Sequence, residues 1–167
     1  MKNMTVTNKL IIANVIMFIP SLLLYNTFGN TWYQTIGHFQ LWRLVTAMFS
    51  HANIAHLIGN MWVLFSVGNT VEHMSSNKST YLVSYFICGI GAGFASILLN
   101  HSIMTVGASG AISGLMAMEL KQFKANKTVI IIGFIYLLVT SIMVPNVDVV
   151  GHLAGFVIGL ILGAGMM

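Results

Sequence analysis

Long apolar segments with almost no charge recur along the whole of this sequence. Residues 10–24 read LIIANVIMFIPSLLL, and residues 149–167 read VVGHLAGFVIGLILGAGMM. A helix that crosses a hydrocarbon core of roughly 30 Å needs about 20 predominantly apolar residues. The recurrence of such segments predicts a helical protein that spans a lipid bilayer several times.

The composition supports this class, because 57% of the 167 residues are hydrophobic and only 6% are charged. A soluble domain of this length carries far more charge on its surface. We therefore predict one all-helical, polytopic membrane domain over residues 1–167, with six transmembrane helices in a bundle and an interfacial loop at 29–54. The expected spans are about 9–28, 55–73, 80–99, 109–123, 128–144 and 149–166.

The charges orient the predicted spans. If the spans alternate in direction, Arg43 lies on one side of the membrane and all six lysines lie on the other. Because cytoplasmic loops carry an excess of Lys and Arg, both termini are expected in the cytoplasm. The net charge of +4 then reflects topology. Since no basic run is interleaved with aromatic residues, no nucleic-acid partner is expected.

Polar side chains occur near the outer ends of the second, fourth and sixth spans. They are His56 and Asn60, Ser109, and His152. Polar groups within spans are costly and usually face the bundle interior or water, so three clusters at one depth suggest a shared site. Taken singly, Asn60 could be an ordinary interhelical hydrogen-bond donor, and each histidine an ordinary packing residue. The other histidines, at loops or span ends, are expected to be solvated: His38, His51, His73 and His101.

The fourth span begins with a serine between glycines, in the stretch GASG at 107–110, and is unusually short. Its 15 residues cover only about 22 Å at about 1.5 Å per residue. Either the preceding loop dips into the protein or the bilayer is thinned around this helix. In the first case Ser109 lies at a helix N-terminus in a watery recess. Free backbone N–H groups there could stabilise a developing negative charge.

Glycines recur at four-residue spacing in two of the spans: Gly151, Gly155, Gly159 and Gly163 in the sixth, and Gly110 and Gly114 in the fourth. Such ridges allow helix backbones to approach closely in membranes. Tight packing alone would explain them, but close approach of these two spans would also bring His152 to Ser109. An imidazole can take the proton of a serine hydroxyl and so turn it into a nucleophile.

No acidic residue offers itself as a third member of this pair. Glu72 and Glu119 lie toward the cytoplasmic side, and Asp148 lies at the outer end, just before the sixth span. The residues therefore predict a Ser–His dyad. No ligand cluster has the spacing of a metal site, so neither a metal nor a cofactor is expected.

Five short motifs occur in one order and at compatible spacings over nearly the whole chain. They are WR at 42–43, HANIAHLIGN at 51–60, GNTVE at 68–72, GASG at 107–110 and GHLAG at 151–155. Each motif alone is weak, but together they closely resemble the rhomboid family of intramembrane serine proteases. The resemblance implies a bacterial-type core of six spans in the plasma membrane of a bacterial cell. It also implies cleavage near the outer end of a substrate's transmembrane helix.

The resemblance assigns a role to each matching residue. By it, Ser109 is the nucleophile and His152 its base, while His56, Asn60 and the Ser109 amide form the oxyanion hole. By the same resemblance, residues outside the chemistry have structural roles: Arg43 in the membrane-embedded loop after the first span, and Glu72 in a hydrogen-bond network.

One position departs from the family pattern. The family usually has an aromatic residue four positions after the serine, stacked against the catalytic histidine, and here that position is Ser113. Phe156 could fill the gap, or Ser113 could form a hydrogen bond of its own. Restoring an aromatic by Ser113→Phe is expected to raise turnover, unless the core has already closed over the small serine.

Two other classes of function are compatible with parts of the pattern. One is a catalytically silent rhomboid-like protein that binds transmembrane helices, against which the intact Ser109 and His152 argue. The other is a small transporter or a haem protein with two histidine ligands, His56 and His152. Labelling by a serine-reactive fluorophosphonate tests the first class, and a Soret absorption band would indicate the haem protein.

Overall fold

The computed structural model describes residues 4–143 and 147–164, and these residues form a helical bundle. The long helices are α1 (Val6–Leu23), α2 (Ile54–Met74), α3 (Lys78–Leu99), α4 (Ser109–Gln122), α5 (Lys127–Met143) and α6 (Val149–Ala164). Short helical turns lie between α1 and α2, at Tyr25–Phe28, Tyr33–Gly37, Arg43–Thr46 and Ala47–Phe49.

Three of the described helices, α1, α2 and α3, are long and apolar enough to cross a membrane, with mean hydropathies of 1.7, 1.2 and 2.0. Helices α5 and α6 are apolar but shorter, and α4 has 14 residues. The predicted all-helical architecture is confirmed. The number of membrane crossings stays a prediction.

The helix starts follow from local sequence. Each of three helices begins directly after a polar residue whose side chain accepts a hydrogen bond from a backbone N–H of the first turn: Thr5 before α1, Asn53 before α2 and Asn77 before α3. Such residues are favoured because the first N–H groups of a helix have no partner within it. The first predicted span is interrupted, since α1 ends at Leu23 and Tyr25–Phe28 forms a separate turn.

Glu72 joins three helices at one end of the bundle. Its carboxylate accepts hydrogen bonds from the backbone N–H groups of Val6 and Thr7, both at 2.8 Å, and from the Thr7 hydroxyl at 2.9 Å. The Thr7 hydroxyl also lies 2.8 Å from that of Tyr81 on α3. A carboxylate is favourable at a helix N-terminus because it meets free N–H groups and the positive end of the helix dipole. Glu72 therefore ties α2 to α1 and α3.

Helices α4 and α6 pack backbone against backbone. The α-carbons of Gly155 and Gly159 lie directly against the carbonyl groups of Gly110 and Gly114, where an added Cβ would collide with carbonyl oxygen. Only residues without a side chain permit this approach. The glycine ridge predicted from spacing is therefore the contact between α4 and α6.

Helix α3 packs against both members of this pair. Cys88 on α3 meets Gly114 of α4, and Ala92 meets Gly110. The main core lies between these helices and α2 and is formed by fully buried side chains such as Leu64, Tyr81, Tyr85 and Leu115. A smaller cluster joins α5 to the rest through Ala117, Leu137 and Phe156.

Candidate active site

The loop that leads into α4 runs inside the protein. Thr105 pairs with Asn30 through two backbone hydrogen bonds of 2.9 and 3.0 Å, and the Gly107 N–H donates to the Ala47 carbonyl at 2.8 Å. Ala108, the last residue before α4, is fully buried. Of the two explanations for the short fourth span, the structure favours the loop that dips inward. Ser109 begins its helix in the protein interior.

Gly107 places the side chains of His56 and Ser109 around one point. Its φ of +109° is a conformation that residues with a Cβ rarely adopt. A Cβ built there would lie 2.9 Å from Cε1 and Nε2 of His56 and 3.9 Å from Oγ of Ser109. The imidazole and the hydroxyl can approach in this way because Gly107 leaves that space empty.

The contact between α4 and α6 brings His152 to the same region. A Cβ built on Gly110, the residue after Ser109, would lie 3.7 Å from the carbonyl oxygen of Gly151, the residue before His152. The backbone next to His152 therefore lies beside the backbone next to Ser109, at the end of the bundle where Ser109 and His56 are close together.

Asn60 lies one turn along α2 from His56 and is largely buried. Its Nδ2 donates to the His56 carbonyl at 2.9 Å, while its Oδ1 is buried without a hydrogen-bond partner among residues 4–143 and 147–164. A buried polar atom without a partner destabilises a fold. The role of Asn60 in the site stays a prediction.

His51 is a correction to the sequence analysis, which expected it to be solvated. It is fully buried and packs edge-on against His56, with ring centroids 5.1 Å apart. Burial, with a smaller contribution from repulsion by His56, lowers the pKa of His51 to about 4. The ring is therefore neutral at pH 7 and supports His56 by packing. The five-residue interval between them, which spans the start of α2, did not reveal this contact.

Arg43 and Glu72 both lie outside this cluster. The buried Arg43 guanidinium donates from Nη1 to the carbonyl groups of Asn26 and Gly29, at 2.8 and 2.7 Å, and from Nε to Gln40 at 2.6 Å. It thereby holds the loop between α1 and α2 in shape. Glu72 comes 16 residues after His56 on α2, which is about 24 Å at about 1.5 Å per residue.

Ser113 lies one turn below Ser109 on α4. Its hydroxyl donates to the Ser109 carbonyl at 2.9 Å, and the residue is 2% exposed. Phe156 is also fully buried, but it packs on Phe134 of α5, with ring centroids 5.8 Å apart. Of the two alternatives at the position of the missing aromatic, the structure therefore favours the hydrogen bond of Ser113.

A small cavity lies between the buried loop, α3 and the start of α4, and Ser109 is one of the residues that line it. Its volume is about 30 Å³, and its wall includes Asn30, Thr105, Gly107, Gly110, Asp148 and Gly151. A cavity needs roughly 10–15 Å³ to hold one water molecule. The cavity is therefore large enough to hold water, and its wall includes polar groups of the buried loop and of Asp148. Within the described residues no group of three or more His, Cys, Asp or Glu side chains could hold a metal ion.

Two features of the site were not assigned by sequence reasoning. One is Asp148, which the structure places in the wall of the cavity. The other is the positive φ of Gly107. The presence of a glycine before Ala-Ser is compatible with this conformation but does not predict it. The spacing Asp-x-x-Gly before His152 is the signal that could have revealed Asp148, since Asp is favoured at the position that precedes a helix.

Comparison with known proteins gives a consistent result. The profile of the Rhomboid domain family matches residues 38–167. The chain is 31% identical over 175 residues to Rhomboid-like protease 3 of Toxoplasma gondii, which covers 90% of this chain and 65% of that protein. It is 33% identical over 147 residues to Rhomboid protease GluP of Bacillus subtilis (strain 168), and the match covers 83% of this chain and 29% of that protein.

A plant relative shows the same pattern of partial coverage. RHOMBOID-like protein 1 of Arabidopsis thaliana is 32% identical over 154 residues, covering 86% of this chain and 39% of that protein. The chain thus spans less than two thirds of the length of each of these three relatives. The family profile nevertheless covers all of α2 to α6, including the motifs around His56, Ser109 and His152. This chain belongs to the rhomboid family.

Proposed function

We propose that this protein is an intramembrane serine endopeptidase that hydrolyses a peptide bond near the outer end of a substrate's transmembrane helix. Ser109 is the nucleophile and His152 is its general base. The observation that carries this proposal is that His56 and Ser109 lie close together around Gly107, while the contact of α4 with α6 sets the start of α6 beside the start of α4. Two relatives whose names say that they are rhomboid proteases add support.

The proposed reaction follows the chemistry of a serine and a base. His152 takes the hydroxyl proton of Ser109 as Oγ attacks the peptide carbonyl carbon, and it then gives that proton to the leaving amine. The resulting ester is then hydrolysed by water. The absence of a carboxylate from the dyad is compatible with catalysis, because serine nucleophiles operate with several kinds of base.

The proposed oxyanion hole uses groups that surround the Ser109 hydroxyl. The Ser109 N–H belongs to the first turn of α4, whose N–H groups have no partner within the helix. His56 lies on the other side of Gly107 and can donate from its ring, and Asn60 adds an amide one turn along α2. Donors fixed in advance around a developing negative charge contribute strongly to catalysis in a water-poor site.

The proposed substrate is a membrane protein with a single transmembrane helix. A peptide carbonyl in an intact helix is hydrogen-bonded and shielded, so the helix has to unwind locally before it reaches Ser109. Small or helix-breaking residues near the cleavage point are expected because they lower the cost of that unwinding. We retain the proposal of one six-span domain in a bacterial plasma membrane, with both termini in the cytoplasm.

The test is cleavage of a model substrate by the purified protein in proteoliposomes. The substrate is a reporter with one transmembrane helix that carries Gly and Ser near its outer end. Ser109→Ala and His152→Ala are each expected to abolish cleavage. The double variant should be no worse than either single variant, because residues that act as one unit lose activity together.

The matched control is Ser102→Ala, which alters a serine in the exposed part of the loop before α4. This variant should cleave as the unchanged protein does. Cleavage that persists in Ser109→Ala would disprove the proposed nucleophile. If the unchanged protein neither cleaves the reporter nor reacts with a fluorophosphonate, but still binds the reporter helix, the protein is the silent relative instead.

A further inference from the structure

Asp148 makes three contacts at the start of the helix that carries His152. One carboxylate oxygen, Oδ1, accepts a hydrogen bond from the Ser96 hydroxyl on α3 at 2.7 Å and from the Gly151 N–H at 2.8 Å. The backbone carbonyl of Asp148 accepts from the His152 N–H at 3.0 Å. The backbone that carries the His152 side chain is therefore hydrogen-bonded to Asp148. Through the Asp148 carboxylate, it is also linked to Ser96 on α3.

Gly151 is shaped to admit this carboxylate. A Cβ built on Gly151 would collide with the Asp148 side chain, whose Cγ it would approach to 2.8 Å. The carbonyl of the same glycine faces Gly110 on α4 at close range. The carboxylate thus folds over a residue that also forms the contact with the helix of Ser109. A shift of the carboxylate would displace the start of α6 relative to α4.

A helix cap alone does not account for these contacts. Aspartate is a favoured residue before a helix, and the bond from the Gly151 N–H is what such a cap provides. The bond from Ser96 adds nothing to the cap, and it joins residues 52 positions apart in the sequence. Ser96 is fully buried on the helix that packs against both α4 and α6.

We propose that Asp148 is a positioning residue that, with Ser96, holds the start of α6 so that His152 faces Ser109. This inference rests on the proposed Ser–His dyad. Asp148 acts through hydrogen bonds to Ser96 and Gly151 and takes no proton during the reaction. Through its hydrogen bond with Ser96 of α3, Asp148 fixes the orientation of His152. A third catalytic residue, or the family's usual aromatic, would otherwise have this role.

The prediction for kinetics follows from the geometry. A misplacement of about 1 Å can cost on the order of a hundredfold in rate. Ser96→Ala and Asp148→Ala should therefore each lower kcat by about 10- to 100-fold for the reporter substrate. KM should stay within about twofold, because both side chains are engaged in hydrogen bonds within the protein. Asp148→Asn should recover most of the lost kcat, since an amide oxygen accepts the same two hydrogen bonds.

The experiment measures kcat, KM and the melting temperature of the full chain in proteoliposomes, with rates normalised to folded protein. The matched control is Asn77→Ala, which removes the side-chain cap of α3 at the far end of that helix. It should lower the melting temperature while leaving kcat unchanged. The Ser96→Ala/Asp148→Ala double variant should be no slower than the slower single variant, since both remove the same link.

Three results would overturn the proposal. They are an unchanged kcat in both single variants, effects that multiply in the double variant, and an Asp148→Asn protein as slow as Asp148→Ala. Ser109→Ala separates these failures from failure of the proposed function. If Ser109→Ala is inactive while Ser96→Ala and Asp148→Ala are fully active, the dyad stands and the positioning role fails. If Ser109→Ala still cleaves, the dyad itself is wrong.

Discussion

Helices α4 and α5 both pack on α6, but they do so by different means. The contact with α4 sets glycine α-carbons against carbonyl groups, without intervening side chains. The contact with α5 is made by side chains, with Phe134 edge-on to Phe156. Much of the apolar surface of α5 stays exposed, at Ile131, Ile132, Ile135, Tyr136 and Val139.

The difference shows where this fold is intolerant of change. Side chains can adopt other rotamers when a neighbour changes, whereas two backbones in contact have no comparable freedom. The contact that brings Ser109 and His152 together is of the second kind. We therefore expect a steep gradient of mutational tolerance from the contact of α4 with α6 to the outer face of α5.

The largest effect is expected from Gly159→Val. The new side chain would collide with the carbonyl of Gly114, so the helices must separate. The free energy of unfolding should fall by more than about 3 kcal/mol, the upper end of ordinary overpacking, because the obstacle is backbone. Thermal unfolding in detergent measures this effect. Gly59→Ala is the control, since a Cβ there would meet nothing within 4 Å. Equal melting temperatures for the two variants would contradict the backbone contact.

A smaller but still clear effect is expected from Phe156→Ala. This change removes a fully buried ring from the contact with α5 and should cost about 3 kcal/mol. The contact between α4 and α6 does not depend on that ring, so the rate of fluorophosphonate labelling per folded molecule should stay within a few fold. Phe134→Leu, which keeps most of the volume, is the milder control. A Phe156→Ala protein that is stable but unlabelled would show that α5 also positions the dyad.

Ser113→Phe should destabilise the protein without raising turnover. Ser113 is almost fully buried, and its hydroxyl is already used by the Ser109 carbonyl, so a phenyl ring has to displace neighbours at about 1–3 kcal/mol. Ser113→Ala should cost at most about 1 kcal/mol. Turnover and melting temperature of both variants check this expectation. Faster cleavage by a well-folded Ser113→Phe protein would show that His152 lacks a packing wall.

The smallest effect is expected from Ile132→Ala on the outer face of α5. This side chain is 60% exposed and would face lipid, where it has little packing to lose. The free energy of unfolding should change by no more than about 0.5 kcal/mol. A loss as large as that of Phe156→Ala would mean that this face of α5 packs against something other than lipid.

Much of the architecture followed from the sequence, because apolar runs and four-residue glycine spacing are direct consequences of helix geometry. The ridge through Gly155 and Gly159 and the inward loop before Ser109 are both seen in the structure. The interruption of the first predicted span after Leu23 was not foreseen, although Tyr25, Asn26 and Thr27 lower the hydropathy there.

The site was less accessible to sequence reasoning, for a physical reason. His51 looked like a loop residue, and only the folded chain shows it buried against His56. Asp148 was not considered as part of the pair because it lies just before the sixth span, and only the structure shows its contact with Ser96 on another helix. Contacts between distant segments leave no local periodicity, so a pattern within one helix cannot reveal them.

The most direct test of the account is to locate the adduct formed by a fluorophosphonate probe, using peptide mass spectrometry. The account predicts one modified serine, Ser109, with modification lost in Ser109→Ala and strongly slowed in His152→Ala. It also predicts slow modification in any folded fraction of Gly155→Ala, where the two helices are forced apart. Rapid modification of Ser109 in the His152→Ala protein, or modification of a different serine, would contradict the claim that α6 activates Ser109.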